Sequence, residues 1–256
     1  MTGLAHADFF ALFNPLLPKG RIALATSGRI PFDKKYQSVV DPVLVLGLSP
    51  NHDLQIQVAQ IVPGSRWTLG ESWIMARVRV MEGHLIAVQA GTLITNYAPW
   101  MRMQYQGFFN FGRVGFTAQV GPEWRSREWQ AGVHGAVGAV YPLVGRALFA
   151  QAEMRENLTF PAVGPRSVTD LFTGVGWATS DETLQVRATL VVGDLISIAP
   201  KFGMGLGLTV RLDLSGASSR RSGEAASGPS TALPRKSDSV LGTLVATVPG
   251  ESPERF

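Results

Sequence analysis

The residues best placed to do chemistry are polar side chains that recur two positions apart. They are Gln55 and Gln57, Arg77 and Arg79, and Arg102, Gln104 and Gln106. Gln130 and His134 follow, then Gln151, Glu153 and Arg155, then Gln185 and Arg187, and finally Arg211. Around them sit apolar residues of the other parity, such as Leu54 and Ile56, Ile74, Val78 and Val80, or Met101, Met103 and Tyr105. A spacing of two puts side chains on one face of a β-strand. The result is a wall of guanidinium and amide groups, which can hydrogen-bond solutes or attract anions.

A catalytic constellation is not expected. The four histidines His6, His52, His84 and His134 are far apart and lack metal-ligand spacing. His52 and His84 fall in or beside turns, where a solvated role is expected. His134 shares the polar parity and is expected to line the interior. It would act as a base only with a neighbouring hydroxyl or carboxylate, and no Gly-x-Ser-x-Gly elbow supplies one. The absence of cysteine excludes thiol catalysis, disulfides and cysteine-based zinc sites. Gly203-Met204-Gly205-Leu206-Gly207 alternates at period two inside a strand pattern with no helix after it, so it is not a nucleotide loop. Neither an enzyme nor a cofactor or metal is expected.

The elements that must position the polar wall are long β-hairpins. The clearest spans residues 129–156, two alternating arms around Tyr141-Pro142-Leu143-Val144-Gly145. Its arms exceed the usual globular strand of about five or six residues. The same layout recurs from residue 20 to residue 214. The expected strands are 20–32, 39–48, 54–62, 67–81, 84–95, 100–109, 113–121, two arms within 129–156, 169–179, 183–193 and 202–214. Short turns fall near residues 51, 83, 111, 143 and 181, the first of them over 49–53. Longer loops fall near 35, 65, 97, 125, 162 and 197, that near 162 running over 157–168. An even strand number with short turns at one rim and longer loops at the other is the outer-membrane barrel pattern. The fold class expected is all-β: an antiparallel up-and-down transmembrane β-barrel of about 12 strands, within a range of about 10–14.

Composition agrees. Charged residues make up 16% of 256 residues and glycine contributes 28, a low charge content for a soluble domain. The net charge of +4 is mild and the arginines are dispersed, so no nucleic-acid partner is expected. Residues 83–101 carry no Asp, Glu, Lys or Arg, but they include His84, Gln89, Asn96, Pro99 and two glycines. They read as strand, loop and strand rather than a membrane helix. Aromatic residues fall at both ends of the strands. Trp67, Tyr97, Trp100, Trp124, Trp129 and Phe160 are expected at the longer-loop rim, and Phe109, Tyr141 and Trp177 at the short-turn rim. Such girdles mark headgroup depth.

Three regions result. Residues 1–19 lack a full apolar core, yet Ala5-His6-Ala7 before Asp8 resembles a signal cleavage site. The expectation is that 1–19 is the remnant of a longer precursor or a flexible terminus. Residues 20–214 form the barrel. Residues 215–256 are Ser/Gly/Pro-rich and aperiodic, the composition of a disordered tail.

Three stretches carry a family resemblance: Leu16-Leu17-Pro18-Lys19-Gly20-Arg21, the segment VLVLGLSPNHDLQIQ at 43–57, and AVYPLVGRALFAQAE within 129–153. Over about residues 14–214 the chain resembles the bacterial outer-membrane barrels of the phenol-degradation (meta-pathway) or transporter family. That resemblance implies an outer-membrane location and passage of small, often apolar, molecules. It transfers no site residue.

The expected function is thus a channel or passive, porin-like uptake barrel in the bacterial outer membrane. Its expected partners are outer-membrane lipid, small apolar or anionic solutes, and a periplasmic partner bound through the tail. The lumen-lining set is Gln55, Gln57, Arg77, Arg79, Arg102, Gln104, Gln106, Gln130, His134, Gln151, Glu153, Arg155, Arg187 and Arg211. Paired with Glu153 and Asp213, the arginines would form a salt-bridged plug; unpaired, they would favour anions. The alternatives are a closed accessory barrel that anchors an envelope partner, and a soluble β-barrel ligand binder.

Overall fold

A computed structural model describes residues 16–33, 38–63, 68–95, 97–126, 130–145, 147–160, 166–180, 183–195 and 200–214. The strands are β1 (Arg21–Pro31), β2 (Val39–Ser49), β3 (His52–Gln57), β4 (Ile61–Val62), β5 (Thr68–Leu69), β6 (Glu71–Met81) and β7 (His84–Leu93). They continue as β8 (Ala98–Phe111), β9 (Val114–Arg125), β10 (Gln130–Val144), β11 (Leu148–Phe160), β12 (Arg166–Ala178), β13 (Leu184–Gly193) and β14 (Lys201–Asp213).

Every pairing is between antiparallel neighbours, and β1 pairs with both β2 and β14, from Arg21↔Asp213 to Pro31↔Gly203. The sheet closes on itself as a barrel of twelve strands, with β4 and β5 as a short extension of one hairpin above β2. Closure removes the free edges that an open sheet would expose. Tight turns carry the chain back at one rim, where Gly83, Gly112 and Gly145 take φ of 71°, 59° and 53°. That left-handed conformation is where a side chain is disfavoured.

The barrel is inside out relative to a soluble protein. Along β8, Met101, Met103, Tyr105 and Phe109 are 53%, 52%, 43% and 48% exposed, while Arg102, Gln104 and Gln106 are buried. The same alternation runs along β6, β7, β11 and β13. A strand of about ten residues rising about 3.3 Å per residue, tilted about 40°, covers about 25 Å, the height of a membrane apolar band. An exposed apolar belt of that kind would aggregate in water; it is a membrane-spanning surface.

Four local expectations are corrected. The strand expected at 54–62 starts at His52 and breaks after Gln57, where Val58, Ala59 and Gln60 leave the ladder before β4. The turn expected over 49–53 shrinks accordingly, because Asp53 continues the inward parity of Gln55 and Gln57 and is itself buried. The loop expected over 157–168 is mostly strand: β11 runs to Phe160 and β12 starts at Arg166, in register from Glu156↔Thr169 to Thr159↔Arg166. Trp100 is not part of the outer girdle. It shares the parity of Arg102 and lies inside at 3% exposure. Tyr97, Trp124 and Phe160 do face outward at the longer-loop rim, as do Phe109, Tyr141 and Trp177 at the other. Trp67 and Trp129 lie outside the described residues.

The chain enters β1 from inside the barrel. Leu16 and Leu17 are each 4% exposed, and Leu17 packs with Ala23, Val45 and Val43. Gly47 makes this possible, since a Cβ there would stand 2.0 Å from the Pro18 carbonyl oxygen.

Candidate functional site in the barrel lumen

Strand parity aims the polar set at the barrel axis, and the closed sheet brings the faces together. At the tight-turn end, Asp53 and Arg77 sit opposite each other in register on β3 and β6. Arg77 Nε donates to Asp53 Oδ1 at 2.8 Å, and both side chains are fully buried. Asp53 Oδ2 accepts from the Leu17 backbone N–H at 3.0 Å, which fastens the entering segment to this pair. With its amide oxygen turned towards the guanidinium, Gln55 accepts from Arg77 Nε and Nη2 at 3.0 Å. Gln57 Nε2 donates to the Glu71 carbonyl at 3.2 Å.

Towards the longer-loop rim, Arg102 Nε donates to Glu123 Oε2 at 2.8 Å, and Arg125 donates to the other carboxylate oxygen of Glu123. The Arg102 guanidinium lies 5.7 Å from the Trp100 ring centroid. Trp100 belongs to an apolar cluster inside the lumen with Trp73, Met75 and Ala87, and Val43 packs against it. The wall is therefore not uniformly polar: one sector presents two indoles.

A ribbon of neutral groups crosses β8 to β11. Gln106 Nε2 donates to Gln104 Oε1 at 3.1 Å and to Gln119 Oε1 at 3.4 Å. Gln119 Nε2 lies 2.8 Å from His134 Nε2, and His134 Nδ1 lies 2.7 Å from Asn157 Oδ1. An amide nitrogen only donates, so His134 Nε2 accepts and the ring proton is assigned to Nδ1. Both ring nitrogens are engaged with amides, and neither meets a hydroxyl or carboxylate.

From β11 to β13, Arg155 pairs with Glu153 and lies 4.8 Å from the Phe172 ring centroid. Arg187 donates to Gln185 at 3.2 Å and lies 5.6 Å from the Phe149 ring centroid. Gln151 is buried, and neither atom of its amide has a hydrogen-bond partner among the described residues. Arg211 is half-buried. Arg79 has the inward parity but sits at the tight-turn rim, exposed. Gln130 opens β10, and its side chain lies outside the described residues. Asp213 pairs with Arg21 at 3.4 Å on the exposed rim rather than inside the lumen.

The carboxylates were the larger omission. Asp41, Asp53, Glu71, Glu123 and Asp170 are buried inside, and so are Gln89, Gln119 and Arg29. Asp41, Glu71 and Asp170 lie within expected strands and are legible from parity alone. Asp53, two positions before Gln55, and Glu123, four after Gln119, require that parity to be carried into segments expected as turn or loop. Outside the barrel, His84 stacks on Tyr105 at 5.6 Å and meets Phe109 edge-on at 5.6 Å. It is part of the aromatic surface rather than a solvated turn residue. His52 bonds the Ser49 hydroxyl at 2.7 Å in the exposed turn. His6 lies outside the described residues.

No protein-family model matches the chain, and neither does any curated protein sequence. Solved structures do. The COG4313 outer membrane channel from Pseudomonas putida F1 aligns with a TM-score of 0.51 at 10% identity, over 77% of this chain and 97% of that one. A bacterial polysaccharide outer membrane secretin aligns at 0.47 and 10% identity, over 75% and 98%. OmpT of Vibrio cholerae with its loop L8 deleted aligns at 0.40 and 11%, again over 75% and 98%. The first likeness shows a shared outer-membrane barrel fold.

Proposed function

We propose that this chain is a bacterial outer-membrane barrel that passes small molecules through its lumen by loosening a filled resting interior. One observation carries the reading: the interior is built from ionised groups and amides held by non-covalent pairs, where an apolar filling would serve stability as well. Replacing buried ion pairs by packed apolar residues is often neutral or stabilising by about 1–4 kcal/mol. Charges kept in a lumen therefore gain their use when the lumen hydrates, because they then present a polar wall to a solute. The N-terminal entry segment, held to Asp53 through one backbone hydrogen bond, is the part of the filling easiest to displace.

The outer-membrane placement is supported by the apolar belt and by the likeness in fold. The resemblance of residues 14–214 to the phenol-degradation barrels adds small, often apolar, molecules as a cargo class, and the arginines add anions. Planar-bilayer recording and liposome swelling test the reading. Discrete current steps and solute-dependent swelling are expected; a barrel that folds in the bilayer and passes nothing ends it.

A second reading, a closed barrel that anchors an envelope partner, is favoured by the depth of burial: Arg77 and Gln89 are 0% exposed and Arg102 and Glu153 1%. In that case residues 215–256 would hold the partner on the periplasmic side. Their deletion should abolish copurification; unchanged copurification removes this reading.

A further inference from the structure

We infer that a recess in the lumen wall between β1, β12, β13 and β14 binds the carboxylate of a small organic acid. The inference deepens the lumen reading above by naming a solute class, and it rests on that reading only for access to the site.

The recess exists because of what β14 lacks. Its inward positions opposite β13 are Gly203, Gly205 and Gly207, in register with Val191, Thr189 and Arg187. No side chain from β14 fills the space, so Arg29 on β1 and Arg187 on β13 line it together with Phe172 and Val191. A Cβ at Gly205 would meet the Thr189 hydroxyl oxygen at 2.5 Å, so even a small side chain there competes for the recess.

Arg29 gives the recess its chemistry. It is 8% exposed, and its Nη2 makes no hydrogen bond among the described residues. A buried guanidinium donor without a hydrogen bond is costly, and an anion bound in the recess would satisfy it. Asp170 and Asp41 act on Arg29 electrostatically from the same region, as does the Arg155 cation. The resident carboxylates therefore compensate its charge while Nη2 stays without a hydrogen-bond acceptor. Arg187 adds a second cationic residue to the lining.

Two features select a carboxylate with an apolar body over a bare inorganic anion. A guanidinium matches the planar, two-oxygen geometry of a carboxylate. Phe172 and Val191 are packed together as the apolar part of the lining, which suits a ring or short hydrocarbon. A neutral alcohol of the same shape could offer Nη2 only an uncharged acceptor, and a neutral hydrogen bond is about half as strong as a charge-assisted one.

The test is isothermal titration of the detergent-solubilised full-length protein with sodium benzoate. Benzyl alcohol serves as the neutral probe of the same ring, and sodium chloride as an anion without one. Saturable heat is expected with benzoate alone. Arg29→Gln should weaken binding by at least about tenfold, since a charged hydrogen bond is lost, and Arg29→Lys should recover part of it. Gly205→Val should weaken binding with the cation intact. An absent benzoate isotherm in the unaltered protein, equal heat from benzyl alcohol, or unchanged affinity in Arg29→Gln overturns the site. If Arg29→Gln loses heat-modifiable migration and has not folded, the three-probe comparison on the unaltered protein still decides. Titration needs no conduction. Benzoate binding by a barrel that passes nothing would end the passage reading and leave the site, and permeation without benzoate binding would do the opposite.

Discussion

Arg77 is tolerable inside the barrel because Asp53 lies opposite it and Gln55 beside it. Removing one member of a buried pair strands the other, which costs about 3–5 kcal/mol. Asp53→Ala should therefore lower the urea midpoint of the refolded barrel strongly. Asp213→Ala is the contrast. Its partner Arg21 and Asp213 itself are 38% and 51% exposed, and exposed pairs contribute about 0–1 kcal/mol. Equal midpoint shifts for the two variants would contradict this account of the lumen. The inward arginines were readable from their spacing of two, and so was Trp100, which keeps the parity of Arg102. Its assignment to the outer girdle followed residue type over parity, and parity is the stronger constraint because a strand cannot turn one side chain to the other face without losing register.

At the scale of elements, each strand has two solvents. Val88 on β7 is 45% exposed on the lipid face, and its neighbour Gln89 is fully buried. Val88→Arg should cost about 2–4 kcal/mol of folding stability in lipid, read as a fall in the folded fraction by heat-modifiable migration in vesicles. An unchanged fraction would mean that β7 is not at mid-depth. The entry segment makes a separate prediction. Gly47→Val places side-chain atoms where the Pro18 carbonyl lies, so residues 16–18 should leave the lumen. Limited proteolysis should then cut this segment faster, and bilayer current should rise; protection equal to that of the unaltered protein would show that the segment is not seated against β2. That seating was not visible in the sequence, because Leu16-Leu17-Pro18 carries no period and its partner Asp53 is 36 positions away.

At the scale of the whole molecule, the wall carries both charge signs in one enclosed space. Arg77, Arg102 and Arg155 each pair with a carboxylate. If the interior loosens as proposed, the exposed pairs should be screened by salt. Bilayer selectivity for anions over cations should then fall as ionic strength rises, measured as reversal potential across a salt gradient. A reversal potential independent of ionic strength would place the conduction path away from these residues.

The sequence alone determined the two-faced strands, their alternation of short turns and longer loops, and the identity of most inward side chains. All of these are local consequences of a period of two and of turn-forming residues. It also placed β1 and β14 at the two ends of the strand series. Only the tertiary structure decided which inward groups meet. Closure set the registers that put Asp53 against Arg77 and Glu123 against Arg102. It also brought Arg29 from the first strand beside Gly205 of the last. Register between strands depends on packing across the whole ring, so no single strand encodes the partners of its own side chains. The filled lumen has the same origin: each strand supplies a row of polar groups, and only the circumference decides whether those rows reach across to one another.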